Sequence, residues 1–152
     1  ATVHSLRQVQ GTGAAPALIT ISDTNPYDYG NVTVGATATR VFTLTNTGAV
    51  SATAVGGSGL VAPFSFLGGS YPGGAGTCGV TIAAGASCTI IVEFAPTSAT
   101  ASSDGIDINY NNGVTAQTST RQVTGTGISP ALLTIDSGPT YNYGLIANGG
   151  VI

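Results

Sequence analysis

The stretch Thr77 to Pro96, TCGVTIAAGASCTIIVEFAP, decides how the rest of the chain is read. It sets Cys78 and Cys88 on either side of an Ala83 to Ala86 turn and then runs into an alternating segment. There Ile90, Val92 and Phe94 share one face while Thr89, Ile91 and Glu93 share the other, the period-two pattern of a strand with one buried side. Pro96 has no N–H to give to a sheet ladder, so it closes the run. Two Cys in this arrangement, with no His or third Cys nearby, favour a disulfide over a metal site, and a disulfide implies an oxidising compartment. Closing so short a loop contributes about 2.5–3 kcal/mol in the chain-entropy account. The expectation is a disulfide-stapled hairpin feeding a core strand.

Composition narrows the partners. Only 6% of the 152 residues are charged, against about a quarter in an ordinary globular domain. The cations are Arg7, Arg40 and Arg121, and the anions are Asp23, Asp28, Glu93, Asp104, Asp107 and Asp136. The surface must therefore be built from Thr, Ser, Asn, Gly and Ala, with little net charge to hold molecules apart. Packing against copies of itself is one expectation from such a surface; a Thr/Ser-rich secreted protein is the other. Three scattered Arg cannot form a basic stripe, which excludes a nucleic-acid partner. No apolar run approaches the roughly 20 residues a membrane span needs. No signal-peptide pattern opens the sequence, and Ala1 reads as a mature or excised end.

The chain repeats itself. Arg7-Gln-Val-Gln-Gly-Thr-Gly13 returns as Arg121-Gln-Val-Thr-Gly-Thr-Gly127, and Pro16-Ala-Leu-Ile-Thr-Ile21 as Pro130-Ala-Leu-Leu-Thr-Ile135. Tyr27-Asp-Tyr-Gly30 returns as Tyr141-Asn-Tyr-Gly144, and Gly35 as Gly149, all at one offset of 114 residues without a gap. Four blocks in one register read as a tandem repeat. Its phase divides the chain into residues 1–13, the last strand of a preceding repeat; 14–127, one complete repeat; and 128–152, the first strands of a following one. Either the chain is a window on a longer array, or it is a protomer whose half-repeats are completed by neighbours.

Within the unit every signal is β. Strands are expected over Leu18 to Ser22, Arg40 to Asn46, Ser51 to Val55, Phe64 to Leu67, the segment after Cys88, Ile106 to Tyr110 and Ser119 to Thr124. Turns are expected at Asn25-Pro26, Asn46-Thr-Gly48 and Asn111-Asn112-Gly113, and Tyr71 to Gly76 is a loop by composition. No segment has a helical period. About seven short strands with turn signals every 8–12 residues read as an all-β, immunoglobulin-like antiparallel β-sandwich.

Several motifs together carry a family resemblance. They are Tyr29-Gly30, Gly35, Phe42-Thr-Leu-Thr-Asn-Thr-Gly48, Pro63-Phe64, Tyr71-Pro-Gly, Gly76-Thr-Cys78, Ala84-Gly-Ala-Ser-Cys88, Val92-Glu-Phe-Ala-Pro96 and Gly125-Thr-Gly127. The unit resembles the bacterial choice-of-anchor D repeat, a relative of the ASPM–SPD-2–Hydin (ASH) immunoglobulin-like domains. Tyr29 stands where that family usually has Phe. The resemblance implies secreted or surface-displayed arrays used as stalks, adhesins or fibres, with no enzymatic activity and no cofactor.

Candidate chemistry is sparse. His4, the only His, has no Cys nucleophile or carboxylate at motif spacing. Tyr71 to Gly76 precedes no helix and has no Lys, so it is a cover loop rather than a phosphate loop. Asp23 with Asp28, or Asp104 with Asp107, could offer oxygen ligands to Ca²⁺, but Ser137 and Asn142 replace the first pair in the second copy. The sequon Asn31-Val-Thr33 becomes Leu145-Ile-Ala147. Tyr27, Tyr29, Tyr71 and Tyr110 could present a binding platform, but Tyr29 and Tyr110 fit better as plugs of the sandwich core. The terminal strands differ. Arg7, Val9, Leu18 and Ile21, with the copies Leu132 and Ile135, sit on edge-compatible strands. Gly11, Thr12 and Gly13, and again Gly125, Thr126 and Gly127, read as joints between repeats. A strand pair split across a boundary is what strand addition between units requires.

These readings converge on a structural repeat of a bacterial extracellular fibre, filament or stalk, associating head to tail with copies of itself. The alternative is an adhesin or carbohydrate-binding module that contacts glycans through a loop containing Tyr71, Pro72 and Gly73. Neither reading needs an enzyme, a metal or a cofactor.

Overall fold

A computed structural model describes residues 6–134, 138, 140, 144, 145 and 148. Among the described residues the chain forms nine strands in two sheets and no helix. In chain order the strands are β1 (Ile19–Ile21), β2 (Tyr27–Thr33), β3 (Ala38–Asn46), β4 (Ala52–Ser58), β5 (Phe64–Phe66), β6 (Thr81–Ile82), β7 (Ser87–Phe94), β8 (Ala101–Asn111) and β9 (Ala116–Ile128). One sheet has the order β1-β3-β7-β5 and the other β2-β9-β8-β4-β6.

Alternation in the sequence sets the core. Phe42 and Leu44 of β3 face inward with Ile90, Val92 and Phe94 of β7, and all five are fully buried. The facing sheet contributes Ile106, Ile108 and Tyr110 from β8 and Val123 from β9. The Phe64 ring stacks on Phe94 at 4.7 Å between centroids. Burying each of these large side chains is worth roughly 1.5–3 kcal/mol, which makes this layer the dominant stabilising element.

Three details differ from the sequence reading. There are nine strands rather than about seven, because β2 and β6 were not legible as separate strands. β6 is only two residues long, and β2 contains Gly30 at φ +69° and a register shift between Asp28 and Asn31. The sandwich is also not purely antiparallel, since β2 runs parallel to β9, with Tyr27 opposite Val123 and Thr33 opposite Ile128. Finally, the two-Cys segment is not a hairpin. β6 pairs with β4 in one sheet while β7 pairs with β3 and β5 in the other, so Ala83 to Ala86 crosses between the sheets.

Candidate functional site

The disulfide forms at that crossing. Cys78 and Cys88 are bonded with their Cα atoms 4.9 Å apart. The Thr77 and Cys78 N–H groups both donate to the Thr89 carbonyl, at 2.9 and 3.1 Å. The bridge therefore clamps the segment before β6 onto the start of β7.

Beside the crossing lies a residue whose role the sequence reading missed. Asn46 shares the phase of Phe42 and Leu44, so it points into the core, and it is fully buried. Its amide N–H₂ donates to the carbonyls of Val50 (2.8 Å), Ile82 (3.1 Å) and Ala83 (3.2 Å). Its Oδ1 accepts from the N–H groups of Leu18 (3.2 Å) and Gly48 (3.0 Å). One amide thus joins the entry of β1, the β3–β4 turn and the crossing loop. The available signal was a polar residue in the inward phase of an alternating strand, which must find partners.

The same end of the sandwich fixes the incoming chain. The Ala49 N–H donates to the Ala15 carbonyl at 3.0 Å, and the Ala17 N–H to the Asn112 carbonyl at 3.0 Å. A Cβ on Gly48 would collide with the Pro16 carbonyl, so only glycine lets the turn lie against this segment. The outer edge of β1 is closed from the other sheet. The Ser119 hydroxyl donates to the Ile19 carbonyl at 2.6 Å, and the Arg121 guanidinium donates to the Ile21 carbonyl.

The other expected site residues are placed as follows. Arg7, Val9, Gly11, Thr12 and Gly13 are exposed and lie in no strand. Leu18 is exposed just before β1, and Ile21 is buried within it. Gly125, Thr126 and Gly127 lie inside β9 rather than in a connection. A Cβ on Gly125 would sit 2.7 Å from the Phe94 ring, and one on Gly127 would meet the Ser98 carbonyl. These two glycines serve close packing within the unit, a reason the Gly-Thr-Gly pattern did not reveal. Leu132 is exposed and in no strand, and Ile135 lies outside the described residues, as does His4.

The loop expected to contact ligand is tied to the edge of β7. The Leu67 N–H donates to the Ile91 carbonyl (2.9 Å), and the Ile91 N–H to the Pro72 carbonyl (2.8 Å). Gly73, at φ +91°, leaves no room for a Cβ beside the Ile91 carbonyl. The Tyr71 ring meets Phe66 edge-on at 5.8 Å, and its hydroxyl donates to the Gly79 carbonyl at 3.3 Å. Burial pushes the Tyr71 hydroxyl up to about 12. An open depression of about 340 Å³ borders this loop and is lined by Gly57, Ser58, Leu60, Ser65, Phe66 and Tyr71.

Tyr27, Tyr29 and Tyr110 pack into the sandwich. Tyr110 is buried and its hydroxyl accepts from the Ile19 N–H at 3.3 Å. Tyr29 is partly buried and donates to the Val92 carbonyl at 2.9 Å; desolvation raises its pKa. Tyr27 meets Tyr29 and Phe42 edge-on at 5.1 and 5.3 Å, and the Arg40 guanidinium lies 5.0 Å from its ring. Arg40 also pairs with Asp23 at 2.6 Å, and this hydrogen bond holds the Asp23 carboxyl below the usual range.

The carboxylates proposed as Ca²⁺ ligands are engaged locally. Asp28 accepts from the Gly30 N–H, Asp104 from the Val61 and Gly105 N–H groups, and Asp107 from the Thr120 hydroxyl. Among the described residues no three His, Cys, Asp or Glu side chains come together as a metal site.

The HYDIN/CFA65/VesB-like, Ig-like domain family matches residues 19–126. The chain belongs to this family. The match agrees with the ASH side of the resemblance drawn from the sequence; the narrower choice-of-anchor D name stays a resemblance. Among curated proteins none matches the sequence. Solved structures share the fold. The VesB protease of Vibrio cholerae superposes with a TM-score of 0.57 at 20% identity, over 71% of this chain and 31% of that one. A Porphyromonas gingivalis protein of unknown function gives 0.55 at 15% identity, over 76% and 49%. The ASH/PapD-like domain 7 of human CEP192 gives 0.50 at 16% identity, over 86% and 98%. The chain thus spans about a third of the VesB chain and half of the Porphyromonas protein.

Proposed function

We propose that this chain is a structural repeat of a bacterial extracellular fibre, filament or surface stalk, associating head to tail through its terminal segments. One observation carries the reading. Val9 is 93% exposed, whereas its counterpart in the repeat, Val123, is fully buried in β9. Leu133 is 92% exposed, whereas its counterpart Ile19 is 2% exposed in β1. Both segments carry core-facing residues without a core, and a further copy of the unit supplies the missing sheets. The low surface charge favours such packing, and the disulfide supports an oxidising, extracellular setting. The reading assigns the chain no catalytic role.

Sedimentation of the purified chain over a wide concentration range tests the proposal. Concentration-dependent association that Val9→Asp and Leu133→Asp weaken is the expected result. A chain that stays monomeric at millimolar concentration overturns it. The depression beside Tyr71 favours a second reading, a carbohydrate-binding module. A glycan array without a hit, or binding unchanged in Ser65→Trp, removes that alternative.

A further inference from the structure

The joint between consecutive copies can be worked out from two fixed ends. At one end of the sandwich β9 stays bonded through its last residue: the Val34 N–H donates to the Ile128 carbonyl at 2.9 Å, and Ile128 lies opposite Thr33 of β2. At the other end the incoming chain is held from Ala15 onward by its bond from Ala49, and Pro16 is packed against Gly48. In the repeat, Ala15-Pro16-Ala17-Leu18 corresponds to Ser129-Pro130-Ala131-Leu132. The first residue that a following copy would hold is therefore Ser129, immediately after the last residue this copy holds.

No spacer residue remains, and a flexible linker needs several. The few dihedrals left at the joint are also narrowed. Ile128 has strand geometry, and Ser129 precedes Pro130, which disfavours the helical region and keeps it extended. The chain leaves β9 straight into the docking segment of the next unit.

We infer that consecutive copies stack end to end through a rigid, extended joint at Ile128–Ser129. The pole carrying Gly35, Pro96 and Ile128 faces the pole of the next copy carrying Gly48, Val50 and Val114. The inference rests on the reading of the chain as one of a run of copies, and it holds whether those copies share a polypeptide or meet by exchange of terminal strands. Val114 is 78% exposed on the tip of the β8–β9 turn, and Ile128 is partly exposed at the opposite pole. This places an apolar side chain on each side of the contact. The unit length follows from β9. Its 13 residues begin beside the turn that holds Ala17 and end at the joint, so copies repeat at about 40–45 Å along the axis.

The test is a chain in which residues 1–128 run directly into residues 15–152, giving two units that each hold all nine strands. Spin labels replace the exposed Gln117 in both units, and their separation is measured by pulsed electron resonance. A single narrow distance near 40–45 Å is expected, broadening at least two-fold when four glycines are inserted after the first Ile128. A broad distribution in the uninterrupted chain, or one unchanged by the insertion, overturns the rigid joint. That outcome leaves the fibre reading standing, since a string of loosely linked units can still form a stalk. Failure of the fibre reading shows instead as the absence of association in sedimentation.

Discussion

Replacing Asn46 tests the packing logic of the fold most directly. Asn46→Leu keeps the branched outline of the side chain, though its methyl groups are bulkier, and removes an amide that serves five backbone groups. The Leu18 and Gly48 N–H groups lose their acceptor, and the Val50, Ile82 and Ala83 carbonyls lose a donor. Ala83 retains its bond from the Ala86 N–H, so its loss is partial. A buried group left without a partner costs about 1–3 kcal/mol. Two stranded N–H groups and partly compensated carbonyls give a net loss of about 3–4 kcal/mol. For a domain of this size that lowers the Tm by roughly 10–17 °C. Urea unfolding read by circular dichroism measures the loss, with Gln117→Ala at an exposed position as a control that should change stability by under about 0.5 kcal/mol. Asn46→Asp sharpens the test through pH. A carboxylate buried among three carbonyls has its folded pKa raised above its unfolded value near 3.9. Its ionisation penalty is therefore absent below that value, grows as pH rises and is complete above the folded pKa. Asn46→Asp should then be closest to native stability in acid. A loss under about 1 kcal/mol for Asn46→Leu, or an Asn46→Asp deficit that does not depend on pH, refutes the reasoning.

Four further outcomes are expected. The Cys78→Ala/Cys88→Ala pair, or reduction of the native chain, should lower stability by about 2.5–3 kcal/mol, measured by urea unfolding with and without dithiothreitol. Gly125→Ala forces a Cβ against the Phe94 ring and should cost about 1–3 kcal/mol, whereas Gly11→Ala, at the matching repeat position with nothing within 4 Å, should leave stability unchanged. Asp23 has a lowered folded pKa, so its pairing with Arg40 contributes above the unfolded value and is lost as pH falls through the folded one. Arg40→Ala should flatten this small, salt-screened acid dependence in thermal melts. Ultraviolet titration of the native chain should show Tyr71 ionising at about 12 and Tyr29 later still, with Tyr71→Phe removing the earlier of the two steps.

The sequence by itself determined the parts governed by local rules. Alternation in β3, β7 and β8 marked Phe42, Leu44, Ile90, Val92, Phe94, Ile106, Ile108 and Tyr110 as inward-facing, because a strand turns successive side chains to opposite faces. Cysteine spacing marked the Cys78–Cys88 bridge. Only the tertiary structure decided which strands are neighbours. Pairing is chosen by contacts between residues far apart in the chain, and no local pattern records that β2 lies parallel to β9 or that β6 and β7 belong to different sheets. The same holds for Gly125, Gly127 and Asn46. A glycine pressed against Phe94 and a glycine in a linker look alike in sequence, and an asparagine that ends a strand looks like any turn former. What separates them is which atoms the fold brings within reach.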